Sequence, residues 1–315
     1  MPTRPSQAIE FGPQSSPFSL DSEAAYGHWR AHKLRRIPQA LEAQKVPVAR
    51  LERLSGVELD KLTEACRRAN FAVYQTDPRA APSMEALRAF GEQLGLTRFD
   101  HHLWASDKGI AALRKEAGGA RANYIPYTDR PMNWHTDGYY NEADAAVRGV
   151  VMYCVKPAAE GGANWLLDPE MVYIAMRDAD PQLIRALMQC DAMTIPENTL
   201  EPGAHRGPVS GPVFSVDPDD GSLHMRYTAR TRSIRWKSDA ITRDAVAFLA
   251  ELLTPPVPLA FRVSLKAGEG IVCNNVLHNR EAFDDGPDNG QQRLLWRARY
   301  RDRVTGTDLF SFSGK

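Results

Sequence analysis

From Arg148 onward the chain carries short β-branched and aromatic runs: GVVMYCV, VFSVD, LHMRYT, LAFRVSL, GIVCNNV and RLLWRARYR, most of them separated by turn residues. Such a series predicts a barrel or a sandwich. Two helices are expected to interrupt it, because Asp168-Pro169 and Asp180-Pro181 each place a capping acid before a proline at the first helical position. A third helix is expected over residues 238–253, ending before Pro255-Pro256. The N-terminal third reads differently. ELDKLTEACRRAN has helical periodicity, FAVYQ is short and β-rich, and residues 83–94 return to the helical period. The expected fold is mainly β with inserted helices, an α+β arrangement of an antiparallel core and a helical N-terminal layer.

Composition narrows the function. The 315 residues hold 39 Lys+Arg and 39 Asp+Glu, so no global field favours nucleic acid or an anionic membrane, though local patches can still hold a small anion. The longest apolar run, around residues 149–155, falls far short of the roughly 20 residues that span a bilayer. The N-terminus lacks the apolar stretch of a secretory signal, and a cytoplasmic protein is expected. The four cysteines are scattered without a C-x-x-C pair, which argues against a disulfide framework and a thiolate zinc site. No repeat appears. The expected organisation is a disordered tail over residues 1–20 and one domain over 21–315, with a lengthened acidic loop at 284–290.

The candidate chemistry begins in NWHTDGYYN. In an extended strand His135 and Asp137, two positions apart, would point to one face. Alone this is weak, since eight histidines and 39 acids in 315 residues make about one such pair by chance. The second half is His278, which follows a β-like run and an Asn-Asn turn 143 positions downstream of His135. Two imidazoles and one carboxylate form the facial triad that leaves three positions open on Fe(II). Zinc hydrolases also use two histidines and an acid, but their H-E-x-x-H helix is missing. A third element is the final strand. At period two, Arg293, Arg297, Arg299 and Arg301 share a face, and a guanidinium fork on a rigid strand suits a carboxylate.

Taken in order, His135-x-Asp137, His278 in NNVLHNREAF, and Arg293 fifteen positions later resemble the TauD/TfdA family of Fe(II)- and 2-oxoglutarate-dependent dioxygenases, over roughly residues 124–301. The resemblance implies a double-stranded β-helix (jelly-roll) core and a reaction that consumes 2-oxoglutarate and O2, releases succinate and CO2, and hydroxylates a small substrate. It implies that His135, Asp137 and His278 bind iron and that Arg293 binds the distal carboxylate of 2-oxoglutarate, with Arg297 as a fallback anchor. Arg297 matches a position that holds an acidic substrate group in some members. GGANWLLD resembles the segment whose threonine helps seat 2-oxoglutarate, and Asn164 stands at that place. Having Asp137 rather than Gly or Ala argues against a halogenase.

Tyr124 and Tyr127, in YIPYTDRP, are candidate substrate-pocket residues; the bland alternative is a loop whose tyrosines pack on the barrel. Arg230 resembles a substrate-anchoring position, against the alternative of a solvated charge. His101-His102 and His205 are weaker metal or binding candidates, and Trp134 is expected to point away from the metal. The expected partner is a small anionic or zwitterionic molecule, with no nucleic acid and no membrane; a homo-oligomer is left open. Two other readings compete: a zinc-dependent hydrolase, which has no need of Arg293, and a non-catalytic metal-binding sensor, in which 2-oxoglutarate binding is absent or uncoupled from turnover.

Overall fold

The computed structural model describes residues 16–100, 109–198, 206–230, 234–287 and 292–309. His101, His102, His205 and most of the expected N-terminal tail lie outside these residues. Six α-helices are described: α1 (Glu23–Arg36), α2 (Gly56–Ala69), α3 (Met84–Gln93), α4 (Pro169–Ala179), α5 (Pro181–Leu187) and α6 (Ala240–Leu252). The two expected caps are present, Asp168 and Asp180 accepting from the first-turn amides of α4 and α5; Asp239 does the same for α6, and Ser55 and Glu58 form a capping box on α2.

Two sheets build the core. The larger has six strands in the order Lys45–Pro47, Phe71–Gln75, Glu269–Cys273, Gly149–Lys156, Leu294–Tyr300 and Ile110–Leu113, antiparallel except for its first pair. The smaller has Phe261–Val263, Asn164–Leu167, Leu277–Arg280 and Met132–His135, all antiparallel. Their facing sides share one apolar cluster, with Val150, Cys154, Ile271 and Leu295 from the large sheet and Leu166 and Val263 from the small one.

Both faces of the large sheet are buried, which is why its strands read as nearly continuous apolar runs. Along Gly149–Lys156, Val150 and Cys154 point to the interior while Val151 and Tyr153 pack outward against Leu62 and Cys66 of α2 and Leu87 and Phe90 of α3. The outer face of the small sheet is covered by α4, α5 and α6. Here the structure departs from a single N-terminal layer. α1 joins this second group, where Tyr26 and Trp29 pack on Tyr173 of α4, and its Lys33 ammonium is buried between Asp168 and Glu170.

Residues 17–20 also differ from a disordered tail. Phe18 is buried in an edge contact with Trp29, and the Pro17 and Ser19 carbonyls accept from the buried Arg177 guanidinium. The physical reason is the cation: buried in α4, it takes its hydrogen bonds from the incoming chain. Among the described residues no helix is long and apolar enough to cross a membrane.

Candidate active site

The two expected halves meet in the small sheet. Strands Met132–His135 and Leu277–Arg280 run antiparallel with His135 opposite His278, and the two imidazole centroids lie 4.3 Å apart. Asp137 joins them by a different route from strand alternation. The strand ends at His135, and Asp137 sits in the following turn, whose Gly138 has φ +68°. A Cβ at Gly138 would lie 2.4 Å from Val147 Cγ2, so the tight turn needs glycine twice over. Thr136 fixes the turn from the other side, its amide donating to the Tyr227 carbonyl and its hydroxyl accepting from the Tyr227 amide. One ligand atom from each of His135, Asp137 and His278 falls within a mutual 4.8 Å.

The tautomers follow from the partners. His135 Nδ1 lies 2.8 Å from the Asn133 carbonyl and His278 Nδ1 lies 2.9 Å from the Val276 carbonyl. A carbonyl only accepts, so each Nδ1 carries the proton and each Nε2 keeps a free lone pair. Asp137 Oδ1 accepts from Arg297 at 3.0 Å, with Arg299 at 3.9 Å, while Oδ2 is buried with no hydrogen-bond partner among the described residues. Two aimed lone pairs and one orphaned carboxylate oxygen fit a divalent metal, and the nitrogen and oxygen donors suit iron. Burial alone would raise the Asp137 pKa, but Arg297 and Arg299 hold it well below the usual carboxylate range.

Burial, then the neighbouring His278, pushes His135 down to about 3, and burial followed by Arg148 and Arg303 does the same to His224. In the unfolded chain both titrate near 6.5. Between those values the unfolded chain binds more protons, so stability rises with pH through the window. The metal-free protein is expected to lose stability as it is acidified from pH 7 to about 4, and His224→Gln to lose less of it. Melting temperatures that stay level across this range in the parent protein would contradict the assignment.

The final strand supplies the cations. From Leu295 onward it alternates as its sequence implies: Leu295 packs into the interior, while Trp296, Ala298 and Tyr300 pack against the α2 and α3 side. Arg293, Arg297 and Arg299 are buried; Arg301 is exposed. The Arg293 guanidinium stacks on the Phe283 ring at 4.9 Å and makes no hydrogen bond or ion pair among the described residues; burial pushes its pKa down to about 10. Gly162, with φ +70°, borders the stack, where a Cβ would press on Phe283 Cβ at 3.2 Å. Arg297 bonds Asp137 through one terminal nitrogen and keeps a buried, unpaired Nε.

Tyr127 is buried with an unpaired hydroxyl, and its electrostatic neighbours are Arg297, Arg121 and Arg299; Tyr124 is half-buried against the same interior cluster. Asn164 is buried on the Asn164–Leu167 strand, paired in register with Arg280. Arg230 is exposed and lines a cavity of about 530 Å³ formed with Trp134, Trp165, Trp236 and α6, on the outer side of the small sheet, and it is also an electrostatic neighbour of Tyr139, whose ring meets His135 edge-on at 6.4 Å. Trp134 accordingly points away from the triad.

Two participants, Arg280 and Asn275, went unread in the sequence, and Arg299, read only as one of the final strand's arginines, reaches Asp100 and Tyr140 as well as Asp137. Arg280 is buried and donates to the Thr128 and Arg130 carbonyls, holding the loop that carries Tyr127 against the His278 strand. Asn275 bonds the Asp137 backbone. The position of Arg280, two residues beyond His278 on the same strand, was an available signal.

Comparison with known proteins agrees with this geometry. Residues 33–299 match the family described as "Taurine catabolism dioxygenase TauD, TfdA family". Among curated proteins the chain is similar to a uridine-5'-phosphate dioxygenase of Streptomyces sp, 29% identical over 253 residues that cover 76% of this chain and 88% of the relative. A second uridine-5'-phosphate dioxygenase, from Amycolatopsis sp, is 30% identical over 175 residues, covering 54% of this chain and 60% of the relative. Among solved structures, an asparagine oxygenase in complex with Fe(II), 2S,3S-3-hydroxyasparagine and succinate superposes with a TM-score of 0.55 at 14% identity, covering 82% of this chain and 93% of that one. The PvcB protein of Pseudomonas aeruginosa gives 0.55 at 15%, covering 81% and 82%. These two establish a shared fold. With the family match spanning most of its length, the chain belongs to the TauD/TfdA family of dioxygenases.

Proposed function

We propose that this dioxygenase, which uses Fe(II), 2-oxoglutarate and O2 on a small substrate, hydroxylates a compact dianion such as a phosphate monoester. His135, Asp137 and His278 hold the iron in this reading, and the observation that carries it is the orphaned Asp137 Oδ2 beside two Nδ1-protonated imidazoles. When bound, the iron couples oxidative decarboxylation of 2-oxoglutarate, to succinate and CO2, with hydroxylation of a substrate C–H bond. Arg293 receives the distal carboxylate of 2-oxoglutarate, because it is buried, unpaired and already oriented by Phe283. Asn164 is the second candidate contact to the co-substrate. A zinc hydrolase would leave Arg293 without a use.

Charge suits an anionic substrate, of which a dianion is the case proposed. Arg297 and Arg299 are matched by the buried Asp137 and Asp100, whereas the buried Arg280 and Arg293 have the partly exposed Asp129 and Asp285 as electrostatic neighbours and make an ion pair with neither. Fe(II) and 2-oxoglutarate offset each other in charge, so the arginines free of ion pairs favour an anion. The relatives named for uridine-5'-phosphate agree with that class. Arg297 Nε and the Tyr127 hydroxyl, both buried and unpaired, are its anchors, with Tyr124 beside them; Arg230 serves only a substrate long enough to reach the rim. Water is excluded by Arg280, which pins residues 125–130 over the interior. The two facing sheets form the double-stranded β-helix core of this reading, with helical cover from the N-terminal third. Four free cysteines, three of them buried, suit a reducing compartment such as the cytoplasm. Neither nucleic acid nor a membrane is a partner in this reading, which needs no second subunit.

Anaerobic Fe(II) plus 2-oxoglutarate is expected to give a weak visible charge-transfer band. Aerobic incubation with nucleoside monophosphates, other phosphate monoesters, sulfonates and amino acids should then release succinate in step with hydroxylation of a phosphate monoester. Succinate release driven only by neutral or zwitterionic compounds would overturn the dianion assignment, and no band with iron bound would overturn the co-substrate assignment.

A further inference from the structure

We propose that Asn275 is a positioning residue that sets the spacing of the triad, by clamping the Asp137 peptide unit to the turn that leads into His278. This rests on the assignment of His135, Asp137 and His278 as metal ligands and goes beyond it. The Asn275 side chain uses both amide hydrogens and its oxygen. Its Oδ1 accepts from the Asp137 amide at 2.8 Å, and its Nδ2 donates to the Asp137 carbonyl at 2.9 Å and to the Val147 carbonyl at 2.6 Å. It therefore reads both polar groups of the Asp137 backbone and fixes residue 147 as well.

The clamp joins what the sequence separates. Asn275 lies three residues before His278, and its bonds reach back 138 positions to Asp137. His135 is held by strand pairing to His278. Asp137 has no strand pairing, because it sits in the turn beyond the strand end. What ties its backbone to the other two ligands is the Asn275 amide. At φ +48°, Asn275 occupies the left-handed region, which asparagine tolerates better than most residues with a side chain. Glycine would accept that backbone without supplying the amide; aspartate would replace the donor with an acceptor facing two carbonyls. Both Asp137 and Asn275 are buried, so bulk water does not compete for these bonds in the parent. Asn275 acts through Asp137 and touches no reacting atom.

Asn274, its neighbour, belongs to another network. It donates to Asn70 and Thr307 and accepts from the Val304 amide. Thr307, equally buried and one step further from the triad, therefore provides a control for the general cost of breaking a buried hydrogen bond here.

The test uses the full metal-free chain titrated anaerobically with Co(II), read by its d–d absorption, with circular dichroism confirming folding. Asn275→Gly keeps the left-handed backbone and is expected to bind Co(II) roughly 10–100-fold more weakly, the usual effect of losing a partner outside the ligand set, with an altered band shape. Asn275→Asp should be weaker still and provides the reading if the glycine variant fails to fold. Thr307→Val should bind Co(II) as the parent does despite a lower melting temperature. If the Asn275 variants keep the parent affinity and spectrum while Asp137→Ala loses both, the clamp is wrong. The clamp also falls if Thr307→Val loses affinity in proportion to its stability, as the Asn275 variants do. Parent-like Co(II) binding by Asp137→Ala would instead overturn the triad beneath it.

Discussion

Asp137→Ala is expected to abolish the Fe(II)·2-oxoglutarate charge-transfer band and to lower turnover by more than the roughly 10–100-fold that loss of an outer partner costs a metal site. It removes the single carboxylate of the triad, and it also leaves Arg297 buried beside no anion. Breaking one half of a buried pair costs about 3–5 kcal/mol, so the metal-free variant should also melt well below the parent. Arg299 is spared the same fate because Asp100 still pairs with it. Asp137→Asn separates the two effects. Its amide oxygen can still accept from Arg297 in place of Oδ1, so most of the stability should return, while the charged ligand and the band should not. A variant that melts like the parent and retains turnover would show that iron is held elsewhere.

Arg293→Ala should act on a different quantity. The guanidinium makes no ion pair among the described residues and has Asp285 only as an electrostatic neighbour, held by the Arg293 backbone amide, so its removal breaks no direct contact to a carboxylate. What is lost is a charge-assisted contact to 2-oxoglutarate, about 2–3 kcal/mol, or roughly 30–150-fold in the KM for 2-oxoglutarate, while Co(II) affinity stays that of the parent. Arg293→Lys restores a charge without the planar fork and without an equivalent stack on Phe283, so it should recover only part of the loss. Steady-state kinetics with 2-oxoglutarate varied at saturating substrate provides the check. An unchanged KM in both variants would move the anchor to Arg297.

The chemistry was legible where it depends on residue type at short spacing or in chain order. His135, Asp137, His278 and Arg293 form such a pattern, and the structure brings the first three within 4.8 Å. The helices over 58–69 and 84–93 and the proline-started α4 and α5 were equally readable, since periodicity and caps are local. What escaped depends on contacts across the fold. Arg280 meets residue 128 across 152 positions, and Arg299 meets Asp100 across 199. Strand position hints that such an arginine is buried, but nothing local names the partner it meets. The geometry at Asp137 was misread for a related reason: i,i+2 spacing serves a strand and a turn alike, and only the crowding of Gly138 against Val147 decides between them.

The buried ammonium of Lys33 bears on where this chain can be cut or extended. It faces Asp168 and Glu170 at the start of α4, and Asp168 passes the connection through Asn70 to Asn274, beside the turn that precedes His278. Proteolysis at residues 37–40 would let that helix dissociate and leave two carboxylates without their cation, 98 residues beyond the polar joint they help close. An affinity tag fused directly to Pro17 would compete with the seat of Phe18 in the same way, whereas a tag spaced well ahead of residue 16 would not. The opening helix is thus a fastener for the polar joint beside His278, and removing it as dispensable leader sequence would strip Asp168 and Glu170 of their buried cation.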